Sequence, residues 1–171
     1  MGKLLAGLAL SSHPGGMARK SIFRPDPMAA ALTYARRGAA RGEVPVGAVT
    51  VDGRTGEILA RCHNLVVANN DPTAHAELLA IRAAAKRLGA ARLPHCDLYV
   101  TLEPCPMCAQ AIAFARIRRL YFGARDSKGG GVEHGPRIYE QPICNHSPEI
   151  ISGLREIECG VLLKEFFRER R

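Results

Sequence analysis

The sequence lacks the features that define several classes of protein. Its 171 residues include no tryptophan and only 5% aromatic residues. No apolar run approaches the roughly 18 residues that a membrane-spanning helix requires, and no internal repeat is present. We therefore expect neither a membrane protein nor a repeat architecture. The length and the 47% hydrophobic content predict one domain with a full core.

Cysteine is present, but not in the pattern of a protein held together by disulfides. Of the six cysteines, only Cys105 and Cys108 are closely spaced, and a chain of this length does not depend on cross-links for its stability. Unpaired thiols persist in reducing compartments. We therefore expect a cytoplasmic protein without a disulfide framework.

Positive charge exceeds negative charge along the chain. The formal net charge is +8 and the pI is about 9.5, which favours an anionic partner such as nucleic acid. Four of the eight charges lie before position 26, in a segment that has no acidic residue and no small-residue cleavage site of a signal peptide. We predict that residues 1–25 form a flexible basic extension and that residues 26–171 form the domain.

The pattern of apolar, proline and glycine residues predicts an α/β fold. Helices are expected where a capping residue or proline precedes an apolar stripe, and strands where β-branched residues cluster between turns. The predicted order is helix (27–36), hairpin (44–51 and 57–62), helix (71–88), strand (98–101), helix (104–115), strand (120–122), edge strand (149–151) and helix (154–171). The segments 65–70 and 124–144 are predicted as loops, the second with room for one helical turn. Strands alternating with helices indicate one sheet with helices packed against it.

The first candidate site is the stretch TLEPCPMC at residues 101–108. Cys105 and Cys108 are three residues apart, so on a helix they share a face and can chelate one soft cation, most often zinc. A helix that begins at Pro104 would place both sulfurs near the positive end of its dipole, which favours the thiolate form. The pair alone is also compatible with two buried cysteines or with a redox pair.

The second candidate site is the triplet His75-Ala76-Glu77 at the start of the preceding predicted helix. If the two helix starts face each other, His75 adds a third ligand, and three protein ligands leave the fourth position of a zinc ion open, as in catalytic sites. Zinc lowers the pKa of its water to about 7, and Glu77 would carry the proton to a substrate. The combination of H-x-E with P-C-x-x-C is the signature of zinc-dependent nucleobase deaminases.

Beyond these two motifs, the sequence resembles the bacterial tRNA-specific adenosine deaminases, a family within the cytidine deaminase-like superfamily. The resemblance covers nearly all of residues 28–171. The matching stretches are EVPVGAV (43–49), DPTAHAEL (71–78), YVTLEPCPMC (99–108), FGARDSK (122–128), NH (145–146) and FFRERR (166–171). The resemblance implies a three-layer cytidine deaminase-like fold, with a central mixed five-stranded sheet and helices on both faces.

The resemblance also implies a reaction. The family deaminates adenosine to inosine by hydrolysis at the wobble position of a tRNA, with an arginine tRNA as the expected substrate, and acts as a homodimer that binds the anticodon stem-loop. It implies that His75, Cys105 and Cys108 hold one zinc ion per subunit and that Glu77 is the proton shuttle. The target adenosine must leave its stack to reach the zinc, which is easier in a single-stranded loop than in a duplex.

Four substrate contacts are implied in the same way. Asn64 is expected to contact the flipped base through its amide, which both donates and accepts, and Val46 to line the pocket wall. Asn145 is expected to contact the nucleotides around the target, and Arg168 to contact a phosphate of the anticodon loop. From the residues alone, Asn64 is typical of a turn after a strand, Val46 of a strand core, and Arg168 of a solvated helix end.

Two other functions remain open at this point. A deaminase of a free base or nucleotide, of the guanine or cytosine type, would share every metal-binding residue, and would not need the basic rim that Arg125, Lys128 and the C-terminal arginines are expected to form. A zinc-stabilised RNA-binding module without catalysis would instead have a closed site, with Cys62, Cys144 or His146 as the fourth ligand.

Overall fold

The computed structural model describes residues 26–170. Its elements, in chain order, are α1 (Pro27–Ala39), β1 (Gly47–Asp52), β2 (Ile58–His63), α2 (Val66–Asn69), α3 (Ala76–Leu88), β3 (Cys96–Leu102), α4 (Pro106–Phe114), β4 (Arg119–Ala124), a 3-10 turn (Ile138–Glu140), β5 (Glu149–Ile151) and α5 (Glu156–Arg168). The predicted extension, residues 1–25, and Arg171 lie outside the described residues. Among the residues described, no helix is long and apolar enough to cross a membrane.

The five strands form one mixed sheet in the order β2-β1-β3-β4-β5. Strand β1 pairs antiparallel with both β2 and β3, while β3 pairs parallel with β4 and β4 pairs parallel with β5. This arrangement confirms the expected mixed five-stranded sheet. Because β2, β3 and β4 all run in the same direction, their carboxyl ends lie at one edge of the sheet, and the segments that follow them start there.

Helices cover both faces of the sheet, as expected for a three-layer fold. The core on one face includes, from α3, α4 and the strands, Ala80, Ile81, Ile112, Leu98 and Phe122. The core on the other face includes, from α1, α5 and the strands, Met28, Leu32, Cys159, Val49 and Val51. Successive residues of a strand point to opposite faces, so Leu98 and Val100 pack under α3 and α4 while Val49 and Val51 pack under α1.

Several element boundaries differ from the sequence prediction, and three of these differences lie close to the two candidate sites. The segment predicted as a loop at 65–70 contains the short helix α2, whose backbone N–H groups at Val67 and Ala68 bond to the side chain of Glu43. Helix α3 begins at Ala76, later than the predicted start at Asp71, and α4 begins at Pro106 with Cys105 as its N-cap residue. Contacts with residues distant in sequence set the first two boundaries: Glu43 for α2 and Asn64 for α3. The second of two prolines, Pro106, sets the start of α4.

Gly47 lets α1 pack directly against the first residue of β1. A Cβ atom at this position would lie 2.0 Å from the carbonyl oxygen of Ala31 and 2.7 Å from the backbone nitrogen of Ala35. The backbone N–H of Gly47 donates to the hydroxyl of Thr101 at 3.1 Å. This close approach explains the glycine in EVPVGAV and fixes α1 against the strand beside the carboxyl ends of β2 and β3.

We expect Gly47→Ala to lower the free energy of unfolding by about 1–3 kcal/mol or more, because the added methyl group overlaps backbone that cannot move aside. Gly160→Ala is the matched control, since a Cβ at Gly160 in α5 meets no atom within 4 Å. That control should stabilise the protein by about 0.5–1 kcal/mol. Urea unfolding of both variants at one zinc concentration measures the difference, and equal effects would contradict the packing described.

Candidate active site and metal centre

Three donor atoms converge where α3 and α4 begin. The ring nitrogen Nδ1 of His75 lies 3.6 Å from Sγ of Cys105 and 3.5 Å from Sγ of Cys108, and all three atoms lie within 4.8 Å of one another. A tetrahedral zinc ion, with Zn–S of about 2.3 Å and Zn–N of about 2.1 Å, separates sulfur and nitrogen ligands by about 3.6 Å. The three residues therefore fit one zinc ion in both chemistry and spacing.

The backbone around His75 and Cys105 explains why these side chains can meet. Both residues are N-cap residues with extended backbone, so each side chain projects from the open end of its helix. Neither side chain caps its own helix. For α3 that role falls to Asn64, whose Oδ1 accepts from the N–H of Ala76 at 2.9 Å. In α4 the first helical residue is Pro106, whose missing N–H leaves one donor fewer to satisfy.

Electrostatics favour a thiolate at Cys105. The hydrogen bond with the Cys108 thiol outweighs burial and, together with a hydrogen bond from His75, lowers the pKa of Cys105 to about 4. The same contact with Cys105 raises the pKa of Cys108, so the two sulfurs share one proton when only protein groups surround them. A divalent cation removes that conflict, because its charge stabilises both thiolates together.

Glu77 is a buried carboxyl beside these donor atoms. The residue is 4% exposed, and burial raises the pKa of Glu77 to about 7. Its side chain also forms a hydrogen bond with Cys108. A carboxyl group that gains and loses a proton near neutral pH is suited to general acid–base chemistry, and Glu77 is placed where it can exchange a proton with a molecule beside the metal position.

A cavity of about 460 Å³ opens over these residues. Its walls include His75, Glu77 and Cys105 together with the predicted pocket residues Val46 and Asn64. The volume suits a single nucleobase with part of its sugar, since small-molecule sites start at about 300 Å³. The structure thus brings both predicted pocket residues to the candidate metal centre.

The amide of Asn64 is largely occupied by the protein itself. Its Oδ1 accepts from Ala76, and its Nδ2 donates to the carbonyl of Val44 at 3.1 Å. One amide hydrogen and one lone pair of Oδ1 remain for a ligand. Asn64 therefore orients the start of α3 as well as facing the cavity, a double role that its position after a strand does not reveal.

A second cavity, a groove of about 870 Å³, adjoins the first and shares Asp126, Gly129 and Arg170 with it. The groove includes the predicted phosphate contact Arg168 together with other cations. Its basic side chains are Lys128, Lys164, Arg168 and Arg170. The exposed ring of Phe167 lies among them. A basic groove with an aromatic side chain therefore adjoins the cavity over the candidate metal centre.

Two predicted residues are placed elsewhere. Asn145 lies outside both cavities, in a depression of about 120 Å³ with Arg92 and Arg116, so its expected role beside the target is not supported within one chain. The sequence predicts Arg125 in the basic rim, but its guanidinium donates hydrogen bonds to Glu133 and Glu156. The surroundings of Asn145 and Arg125 both depend on the path of segment 126–148. The sequence pattern does not predict that path.

The three candidates for a fourth protein ligand are also placed elsewhere. Among residues 26–170, the cluster of donor atoms contains only the three residues described above. The thiol of Cys144 donates to the carbonyl of His146 at 3.2 Å, and Nε2 of His146 lies 2.7 Å from the carbonyl of Ile117. Cys62 lies on β2 opposite Ala48. A three-donor site of this kind matches catalytic rather than structural zinc.

Two buried carboxylates near the site were not singled out by the sequence motifs. Glu43 and Glu103 are 1% and 2% exposed, and each accepts backbone N–H groups from a segment that lines the cavity. Burial alone raises the pKa of Glu103, but hydrogen bonds from Asp126 and His134 outweigh it and lower this pKa. In the sequence, only their positions within the stretches EVPVGAV and TLEPC could have indicated a role for Glu43 and Glu103.

The chain matches the family model described as the cytidine and deoxycytidylate deaminase zinc-binding region over residues 24–124. A tRNA-specific adenosine deaminase of Agrobacterium fabrum is 57% identical over 156 residues, which is 91% of this chain and 98% of that protein. A protein of the same name from Bacillus subtilis is 46% identical over 144 residues, 84% of this chain and 88% of that protein.

A solved structure agrees with these sequence relatives. It comes from a study of A-to-I editing by tRNA:A34 deaminases at the wobble position and superposes with a TM-score of 0.78 at 55% identity, covering 80% of this chain and 98% of that chain. The chain belongs to the family of tRNA-specific adenosine deaminases, within the zinc-binding cytidine and deoxycytidylate deaminases.

Proposed function

We propose that this protein hydrolyses adenosine to inosine at the wobble position, nucleotide 34, of a tRNA, as the names of its relatives indicate for them. The observation that carries the proposal is that a metal centre suited to deamination and a groove suited to RNA lie side by side. A three-donor metal centre with a buried carboxyl lies in a cavity that can hold one nucleobase with part of its sugar, and a basic groove adjoins that cavity. Members of the wider superfamily that act on free bases have no evident need for such a groove.

In the proposed reaction water replaces the exocyclic amine at C6 of adenine, and ammonia leaves. We assign His75, Cys105 and Cys108 as the zinc ligands; bound zinc supplies the Lewis acidity that makes water nucleophilic near neutral pH. Glu77 accepts a proton from the attacking water and delivers it to the ring nitrogen of the base. It then takes the remaining proton of the added hydroxyl group and delivers it to the exocyclic amine, which leaves as ammonia while the C6 carbonyl forms. Val46 packs against the base, and the free amide hydrogen of Asn64 orients its edge.

The groove supplies the contacts that hold the RNA. Lys164 and Arg168 on α5, together with Lys128 on the facing loop, are placed to neutralise phosphates of the anticodon loop. Phe167 offers a ring on which an unstacked base can lie. The wobble adenosine is already in a single-stranded loop, so turning it into the cavity requires no base pair to break. We further propose an arginine tRNA as the substrate and the cytoplasm as the compartment.

Asn145 fits the proposal if two copies of the chain associate. Phe114 lines the same depression and is 69% exposed, and the neighbouring Ile143 is 78% exposed. A second copy that covers these apolar side chains would bring Asn145 to an interface, where it can contact RNA that spans both subunits. A particle of 18.5 kDa, the mass of one chain, in sedimentation experiments would contradict the homodimer.

Zinc content tests the metal assignment. We expect about one zinc ion per chain in the wild-type protein, and strong loss of zinc in His75→Ala and Cys108→Ala, because two remaining ligands bind zinc weakly. Cys144→Ser should keep its zinc, since Cys144 lies outside the donor cluster. Inductively coupled plasma mass spectrometry of the purified variants measures this. Zinc loss in Cys144→Ser would favour the closed, non-catalytic module instead.

Replacement of Glu77 tests the proton transfer. Glu77→Gln keeps the shape of the side chain but cannot exchange the proton, so we expect retained zinc and a fall of about 10²–10⁴ in the rate of inosine formation. Glu140→Gln, at an exposed carboxylate on the surface, is the control and should change nothing. Single-turnover assays on an anticodon stem-loop RNA give the rates, and an unchanged rate for Glu77→Gln would refute the assigned role.

Salt dependence tests the groove. Removing two cations with Lys164→Ala and Arg168→Ala should weaken binding of the stem-loop and reduce the slope of log K against log salt by about 0.7 for each phosphate that is no longer neutralised. Lys86→Ala with Arg61→Ala removes the same charge from outside both cavities and should leave the slope unchanged. Equal slopes in the two double variants, measured by fluorescence anisotropy, would show that the groove does not bind the RNA.

A further inference from the structure

The carboxylate of Glu103 gathers an unusual number of hydrogen-bond donors. Its Oε1 accepts from the backbone N–H groups of Val132, Glu133 and His134 at 3.2, 2.8 and 2.9 Å. Its Oε2 accepts from the N–H of Asp126 at 3.0 Å and lies 2.7 Å from Nδ1 of His134. A buried carboxylate with this many partners is strongly held, because hydrogen bonds to a charged acceptor are stronger than neutral ones.

All of these donors belong to one segment, residues 126–134, which we call the glycine loop. Its first residue and its last three residues bond to the same carboxylate, so both ends of the loop are fixed at one point. Between them lie Gly129, Gly130 and Gly131, residues with little preference for any one backbone conformation. Glu103 therefore supplies the restraint that the glycine loop itself lacks.

The glycines are required because the loop lies directly on Glu103 and on the start of α4. A Cβ at Gly130 would lie 2.5 Å from Oε1 of Glu103, and a Cβ at Gly131 would lie 2.6 Å from the nitrogen of Pro106. The N–H of Gly131 donates to the carbonyl of Pro104 at 2.8 Å. The loop thus rests on the turn that carries Cys105, with no room for a side chain between them.

The same loop forms a wall of both cavities. Asp126 and Gly129 face the cavity over the metal centre and the basic groove, and Lys128 faces the groove. Side chains and backbone of the loop therefore lie where an RNA must pass to reach the metal centre. The position of this wall depends on Glu103, whose side chain is fully buried although the residue itself borders the cavity.

We infer that Glu103 is a positioning residue for the RNA: it clamps the glycine loop over the metal-binding turn, so that the loop presents a preformed wall to the nucleotides beside the target adenosine. The inference rests on the proposed function, because it assigns the loop to the binding of that RNA. Because the glycine loop is already ordered when the protein folds, RNA binding does not have to supply the free energy of ordering it. Glu103 acts on substrate affinity and has no part in the proton transfer.

Glu103→Gln tests the clamp while keeping the size of the side chain. The amide nitrogen cannot accept, so the backbone N–H groups of one end of the loop lose their partner. We expect the zinc content to be unchanged, the amides of 126–134 to exchange with deuterium about tenfold faster, and the KM for an anticodon stem-loop to rise about tenfold with kcat changed less than about threefold.

Asp97→Asn is the matched control. Asp97 is a buried carboxylate near the start of β3, whereas Glu103 directly follows the end of that strand. Asp97 accepts two hydrogen bonds from Arg118. Its replacement should lower stability without changing KM or the exchange of the loop. If Asp97→Asn raises KM as much as Glu103→Gln does, Glu103 has only a general structural role and the inference fails.

Gly130→Ala disturbs the same contact from the side of the loop, and it replaces Glu103→Gln as the test if that variant does not fold. It should reproduce the rise in KM, and the double variant should show no further rise, because both changes break one interaction. Additive effects, or an unchanged KM in both single variants, would overturn the clamp. If wild-type protein forms no inosine in tRNA, the proposed function fails, while deuterium exchange still decides whether Glu103 holds the loop.

Discussion

Everything at this site depends on bringing three donor atoms from two separate helix starts to within bonding distance of one cation. His75 precedes α3, while Cys105 and Cys108 open α4. The sheet makes this possible, because β2 and β3 run in the same direction and end at the same edge. The two helix starts then meet at that edge, and their positive ends favour the thiolates that a metal requires.

The convergence carries costs that neighbouring residues offset. An N-cap side chain that points at a metal cannot cap its own helix, so Asn64, directly after β2, accepts the first N–H of α3 instead. The short helix α2, which forms part of the cavity wall, depends on the carboxylate of Glu43, and the glycine loop depends on that of Glu103. Buried polar groups around the centre thus act as supports that fix the shape of the cavity.

The sequence predicts the parts of this protein that follow from local pattern. Turn residues mark the hairpin, apolar spacing marks the helices, and H-x-E with P-C-x-x-C identifies the residues of the metal centre. It does not predict features that depend on distant contacts. Helix α2 has no local cap, α3 begins at the residue that Asn64 caps, and Asn145 lies where the fold of segment 126–148 places it. The position of Arg125 in the sequence suggests a contact with RNA, yet its guanidinium forms ion pairs with Glu133 and Glu156.

The central claim is that zinc chemistry at this centre is directed at an adenosine within tRNA. Sequencing of total tRNA after incubation with the zinc-loaded protein tests it most directly, because inosine is read as guanosine. We predict A-to-G changes that are confined to nucleotide 34 and absent when Glu77→Ala protein is used. Release of ammonia from free guanine or cytosine, with no change at any tRNA position, would contradict this claim and identify a deaminase of free bases.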